Sequence, residues 1–312
     1  MLDIKTDFRN VWSATLRNLK NDWKYKFKLL LNSVYTGINL ALFTVLANVV
    51  NPKEGAMPAE YGPADSSIGF MKFLFIGTWF WAIFTRPFED TVNCLPEETQ
   101  KGTIGLLLTN NVDIKTILMG RFFASLIISI ILSSAIVMPF FGALGMLTIE
   151  QLKMLPLILL VFFSMMIFML CISLWVASFS LLFKKTGVLS NVFIYGLKVA
   201  TGMYFPIFGM GKSTLLLESI PVASGVDLIR DIFIVGKPVA HAAGYLPPPK
   251  DTVLWAEHIS IWPGQWNATV PHWLGFVLQS QVIGVVALIF ICWFALRTYI
   301  KQAKTMGTIE SY

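Results

Sequence analysis

The sequence predicts an all-α integral membrane protein: six transmembrane helices, an N-terminal amphipathic elbow helix, and an outer re-entrant helical hairpin between spans five and six. Three observations lead there. Of 312 residues, 55% are hydrophobic and only 13% charged, about half the charge with which a soluble domain covers its surface. The mean hydropathy is +0.67. The apolar residues also fall in runs of about 20, the length that crosses roughly 30 Å of hydrocarbon. This composition excludes a cytosolic enzyme, a disordered chain and a nucleic-acid-binding domain.

Residues 5–26 form the first element. Phe8, Val11, Trp12, Thr15, Leu16, Leu19 and Trp23 recur at helical spacing on one face, while Arg9, Ser13, Arg17, Lys20 and Lys24 share another. A basic amphipathic helix with tryptophans on its apolar side is expected to lie in the cytoplasmic interface. It serves either as a topology anchor or as a contact for a cytoplasmic partner. No secretory signal pattern precedes it, so insertion is expected to depend on the first span.

The spans follow in order. Leu29–Val50 is closed by Asn51-Pro52. Ser66–Thr85 carries Lys72 near its start, where a long side chain snorkels. Phe122–Gly145 contains Pro139, and Met154–Phe183 ends at Lys184-Lys185. Val188–Met210 holds Lys198 in its middle, and Val270–Leu296 ends at Arg297. Six spans put both termini on one side. Sixteen of the 24 Lys and Arg then fall on that side, seven opposite, and Lys198 within a span. The positive-inside rule makes both termini cytoplasmic, in a multi-pass plasma-membrane protein. The chain divides into an elbow (1–28), spans one to five (29–210) with a cytoplasmic loop (89–115), an outer segment (211–269), and the sixth span with its tail (270–312).

The outer segment is too apolar for a free loop. Between Ser213 and Gly236 an apolar run is broken by Pro221 and Gly225, which suits two short helices dipping into the outer leaflet against other protein. Pro247-Pro248-Pro249 is a stiff spacer. Trp255, Trp262, Trp266 and Trp273 read either as interfacial anchors or as a substrate-contacting surface. Asn267-Ala268-Thr269 matches a glycosylation sequon.

No catalytic or metal-binding set emerges. Cys94, Cys171 and Cys292 are widely spaced in or beside apolar runs, which fits neither a disulfide framework nor a metal site. His241, His258 and His272 lack ligand spacing. Gly209-Met210-Gly211-Lys212-Ser213-Thr214 imitates a nucleotide-binding loop, but Pro206 stands where its first glycine belongs and no buried strand precedes it. Active transport would need energy from a separate chain or an ion gradient. A lysine at mid-bilayer costs about 2.5–3.5 kcal/mol. Lys198 is therefore expected to face protein or water, as a pathway charge for an anionic or polar headgroup, as a paired lysine or as a snorkelling one.

The loop from Glu89 to Lys115 is the most informative stretch. Glu97-Glu98 precede Gly102-Thr103, and Leu106, Leu107 and Leu108 follow. This reads as a short helix across the cytoplasmic face, charged on one side and packed by leucines on the other. Here the chain resembles the permease subunit of type-2 ABC exporters, which has an elbow helix, six spans and a coupling loop reading acidic–acidic–x–x–x–Gly–Thr–x–x–Leu–Leu. The proline-containing stretches at Gly202–Pro206 and Ile220–Arg230 resemble that family's outer hairpin. The long tryptophan-rich outer segment and Asn110-Asn111 depart from it.

The resemblance implies a permease that dimerises with a copy or a paired permease and docks two separate ABC ATPase subunits. Glu97, Glu98, Gly102, Thr103 and Leu106 would lie at the docking surface. Spans one, two and five would line the pathway. This chain would bind no cofactor, with ATP and Mg on the partner ATPases, and would have no catalytic residues of its own. Candidate pathway residues are Trp79, Phe80, Lys198, Tyr204 and Phe205; the aromatic ones, with Trp81, Phe84 and Phe208, either line a pathway suited to an amphiphile, a lipid-linked glycan or a hydrophobic drug, or face lipid and pack between helices. The alternatives are an ATPase-independent secondary transporter or channel, argued against by the lack of an inverted repeat and of a carboxylate within an expected span, and an integral-membrane enzyme.

Overall fold

The computed structural model describes residues 4–49, 67–100, 102, 113–180, 187–203, 217, 220–235, 281–295 and 297–299, and the regular structure among them is helical. In chain order the helices are α1 (Ile4–Lys24), α2 (Lys26–Val49), α3 (Ser67–Val92), α4 (Cys94–Gln100), α5 (Ile114–Ala143), α6 (Ile149–Lys153), α7 (Leu155–Ser180), α8 (Gly187–Ala200), α9 (Pro221–Val235) and α10 (Gln281–Tyr299). Four stretches are long and apolar enough to cross a membrane: Ile68–Val92, Ile114–Ala143, Leu155–Phe179 and Gln281–Tyr299. By length and composition they mark a membrane protein. They fall on the second, third, fourth and sixth expected spans.

The other two spans read differently. The first falls on α2, whose apolar described stretch is Leu29–Leu42. The fifth falls on α8, which stops after 14 residues, short of a crossing. The stop is a Schellman turn: Met203 N–H donates to Lys198 O at 3.2 Å and Gly202 N–H to Val199 O at 3.1 Å. Gly202 takes φ +61, a left-handed conformation in which a Cβ would be strained. The remainder of that span, 204–210, lies outside the described residues.

Helix α3 is the centre of the bundle, packed by α2, α5, α7 and α9. It is apolar on every side from Phe73 to Ile76, all buried, as a helix surrounded by protein should be. Farther along, Trp79 meets Phe141 edge-on at 5.1 Å, Phe84 lies 5.4 Å from Phe162, and Phe141 lies 5.2 Å from Phe233. Each such aromatic pair adds about 0.5–1.5 kcal/mol beyond its area burial. The helix runs two turns past the expected end at Thr85, straight through Pro87. Phe84, Phe88 and Val92 explain this, because they lie one turn apart and all bury in the core.

Helix α1 packs along α5, but not with the aromatic edge of its apolar face. Thr15, Asn18 and Asp22 are the buried side chains, whereas Phe8, Trp12, Leu16 and Trp23 are exposed. The helices approach closely because Gly120 lacks a side chain: a Cβ there would meet Ala14 Cβ at 2.6 Å. Small and polar residues make the protein contact, leaving the aromatic edge uncovered.

Of the expected outer hairpin, the structure describes α9 and a few residues before it. Pro221 opens the helix, where its missing N–H is no loss. Every residue from Pro221 to Phe233 is buried, against α3 and α7. Gln281 Nε2 donates to Pro221 O at 2.6 Å and to Ser224 Oγ at 3.0 Å, and Gln151 Nε2 donates to Phe233 O at 2.9 Å. These amides tie both ends of α9 into the bundle. Its 15 residues make about 22 Å of helix, too short to cross a bilayer.

Candidate functional site

Helices α2, α3, α5 and α8 line a polar cavity of about 600 Å³. Tyr35, Thr36 and Asn39 come from α2, Ser129 and Ser133 from α5, and Asn191, Tyr195 and Lys198 from α8. Helix α3 supplies Thr78, Trp81, Thr85, Arg86, Glu89 and Asp90, and Asn93 and Met203 also line the space. The α3 residues recur every three or four positions and form one stripe. Threonine and serine in such helices satisfy themselves by back-bonding: Thr78 Oγ1 donates to Leu74 O at 2.8 Å, and Ser133 Oγ to Ser129 O. The polar stripe therefore does not break the helix.

A closed ring of four charges borders the cavity. Arg121 Nη1 lies 3.0 Å from Asp22 Oδ1, and Asp22 Oδ2 lies 3.4 Å from Arg86 Nη2. Arg86 Nε lies 3.4 Å from Asp90 Oδ2, and Arg121 Nη2 lies 3.4 Å from the same oxygen. Ser125 Oγ also donates to Asp90. The four side chains are only 10–14% exposed, so the alternation of sign is what makes their burial tolerable. The ring joins α1, α3 and α5. Arg86 Nη1 and Ser129 Oγ are buried without a hydrogen-bond partner among the described residues.

The α8 wall is held from behind. Trp81 Nε1 donates to Thr201 Oγ1 at 3.2 Å. Arg230, fully buried on α9, donates from Nη1 to Gly202 O at 3.0 Å and to Asp227 Oδ1 at 2.8 Å, and from Nη2 to Met203 O at 3.2 Å. Its guanidinium stacks 3.6 Å from the Phe73 ring centroid. A cation on the carbonyls that end a helix opposes the negative pole of its dipole. Sequence reasoning placed Arg230 in the outer loop, where nothing local signals a partner 27 or 28 residues earlier.

Among the candidate pathway residues, Lys198 lines the cavity in the last turn of α8, with its ammonium 5.9 Å from the Trp81 ring and 5.4 Å from that of Tyr195. Trp79 and Phe80 do not line it; they are buried in the aromatic core, their rings 5.2 Å apart. Tyr204, Phe205 and Phe208 lie outside the described residues, as do the loop-like match at Gly209–Thr214 and the four outer tryptophans. The cavity did carry a sequence signal: Thr78, Thr85 and Glu89 on α3, Tyr35 and Asn39 on α2, and Asn191, Tyr195 and Lys198 on α8 are polar stripes on apolar helices.

Of the loop from Glu89 to Lys115, the structure describes α4 and little more, set off from α3 by a turn at Asn93. Cys94 and Leu95 bury against Ile114, Ile117 and Leu118 of α5 and Leu174 and Ala177 of α7. Burial pushes the Cys94 thiol up to about 12, against the opposing pull of Arg121. Glu97 and Glu98 are half-buried on this helix. Gly102 follows it at φ +70, its N–H donating to Thr99 O at 2.9 Å. Thr103 and Leu106 to Leu108 lie outside the described residues.

No protein-family model and no curated protein matches the chain.

Proposed function

We propose that this chain is the membrane-spanning subunit of an ATP-driven exporter, working as a dimer with separate ATPase subunits. The observation that carries the reading is the cavity: a space of about 600 Å³ lined by two basic and two acidic side chains among apolar helices. Buried charge in such helices marks a ligand or ion route by default. The ATPase half of the reading rests on α4. It is a short helix bearing Glu97 and Glu98, held by apolar packing to three longer ones, so a push on it is transmitted to the spans. The uncovered aromatic edge of α1 suits the membrane interface beside that docking surface. Both termini are cytoplasmic in this reading, and the membrane is the plasma membrane.

One observation favours a second reading, secondary transport. Glu89 and Asp90 lie on α3 and line the cavity, and intramembrane carboxylates are characteristic of ion-coupled carriers. Reconstitution separates the two. The exporter reading expects a stoichiometric ATPase to co-purify and transport to require ATP. Transport by the chain alone, driven by an ion gradient, overturns it.

A further inference from the structure

We propose that the cavity between α2, α3, α5 and α8 binds a zwitterion: one molecule carrying both an ammonium group and a carboxylate or phosphate. The proposal deepens the transport reading and rests on it for what happens to the bound molecule.

Four charged side chains line the cavity, and two are already held in ion pairs, although Arg86 keeps Nη1 without a hydrogen-bond partner among the described residues. Arg86 and Asp90 belong to the closed ring with Asp22 and Arg121. Glu89 and Lys198 remain. Among the described residues the Glu89 carboxylate makes no hydrogen bond or ion pair, and the Lys198 ammonium lies 5.9 Å and 5.4 Å from the ring centroids of Trp81 and Tyr195. They stand on different helices, lining one space. A half-buried charge without a partner is costly in a low-dielectric bundle.

Ligand sign follows from that pair. An anion would satisfy Lys198 and leave Glu89 facing like charge; a cation would do the reverse. A zwitterion satisfies both and brings no net charge into an apolar bundle, where net charge is most expensive. Its ammonium belongs at Glu89 and its anionic group at Lys198. The aromatic faces beside Lys198 cover the apolar middle, and Asn39 and Asn191 offer neutral hydrogen bonds. The volume lies within the range of small-molecule sites and accommodates a free zwitterion or the headgroup of a zwitterionic lipid.

The test uses the full chain in nanodiscs of phosphatidylglycerol, without ATP. Equilibrium binding is measured for glycerophosphocholine, choline and glycerol 3-phosphate, and for phosphatidylcholine added to the discs. The wild type should bind a zwitterionic probe at least tenfold tighter than either singly charged one. Binding of glycerophosphocholine indicates a free solute, and binding of phosphatidylcholine alone indicates a lipid headgroup. Glu89→Gln should lose at least tenfold for the zwitterion while retaining glycerol 3-phosphate, and Lys198→Met should lose as much while retaining choline. The exchanged pair Glu89→Lys with Lys198→Glu should recover part of the loss, which a merely misfolded variant would not. Equal affinity for all probes, or zwitterion binding unchanged in both single variants, overturns the proposal. Binding without transport would leave it standing and remove the exporter reading instead.

Discussion

Two regions of this molecule bury arginine, and they do so in opposite ways. Arg230 is held by one carboxylate, two backbone carbonyls and one aromatic face, fully out of solvent. Among the described residues Arg86 and Arg121 are instead held by carboxylates, in a four-membered ring whose side chains keep 10–14% exposure and which borders a polar cavity. The first arrangement fixes backbone: it clamps the end of α8 to α9. The second fixes helices to one another through side chains that can exchange partners. The Arg230 site should therefore govern whether the bundle folds, and the ring should govern how it responds.

The largest expected effect is at the clamp. Arg230→Met removes the charge facing Asp227 and leaves the carbonyls of Gly202 and Met203 without their donor. Breaking a buried pair from one side costs about 3–5 kcal/mol, read as a large fall in melting temperature in detergent. Arg230→Lys should recover little, because an ammonium cannot reproduce the planar fork that reaches both carbonyls and the carboxylate. A variant as stable as the wild type would make the clamp dispensable and erase the contrast.

The ring should break more gently. Asp22→Ala leaves two guanidinium groups sharing Asp90, at about 3 kcal/mol, softened by the nearby cavity. In a cycle with Arg121→Ala the double variant should lose less than the sum of the singles, since the two groups touch at 3.0 Å. Additive losses would mean that no ring operates. Next in size is Gly120→Ala. Its Cβ would meet Ala14 at 2.6 Å and backbone atoms at 3.1 and 3.2 Å, and backbone cannot swing aside. Overpacking there costs about 1–3 kcal/mol, and it should lower the melting temperature by prising α1 from the ring.

The sequence made much of this fold legible and little of the site's energetics. Helices α3, α5, α7 and α10 announce themselves as long, mostly apolar runs, because a lone span must satisfy its own backbone whatever surrounds it. The end of α3 is hidden: Arg86 and Asp90 look like a loop until Asp22 and Arg121 neutralise them from 64 and 31 positions away. Helix α1 was periodic as expected, yet its buried face is Thr15, Asn18 and Asp22. Periodicity shows that a helix is two-faced; it does not say which face meets protein when lipid can take the apolar one. Arg230 was counted as loop charge because a charge count does not see partners. Lys198 stands out in the sequence as a charge within an expected span, whereas Glu89, which lines the same cavity, reads as part of a loop.

Titration of Cys94 tests how closed the floor beside the ring is. Its thiol is raised from an ordinary value near 9 to about 12, chiefly by burial, which favours the neutral form in the folded protein. Below pH 9 both states keep the proton and stability is unaffected. Above it the unfolded thiol ionises and the folded one does not, so stability falls as pH rises toward 12. The loss should be roughly 1 kcal/mol between pH 8 and pH 10, and Cys94→Ala should remove that slope. Maleimide should label Cys94 only after denaturation. Ready labelling of the native protein would mean that α4 opens.

The smallest effect comes from a glycine on the clamped helix itself. At Gly77, beside Arg230, a Cβ would sit 2.4 Å from the guanidinium and 3.0 Å from Met203 O, whereas at Gly196 on α8 it would meet nothing within 4 Å. Gly196→Ala should therefore stabilise by about 0.5–1 kcal/mol, the difference in helix propensity, while Gly77→Ala destabilises. If α8 is fixed by the clamp at its end rather than by tight contact along its length, the gain at Gly196 should survive in the Asp22→Ala background and add to its loss. It should disappear in Arg230→Met, where the end of the helix is free to fray and a stiffer turn upstream no longer serves a fixed wall. Equal gains in both backgrounds, measured as shifts in melting temperature, would show that the helix holds without its arginine.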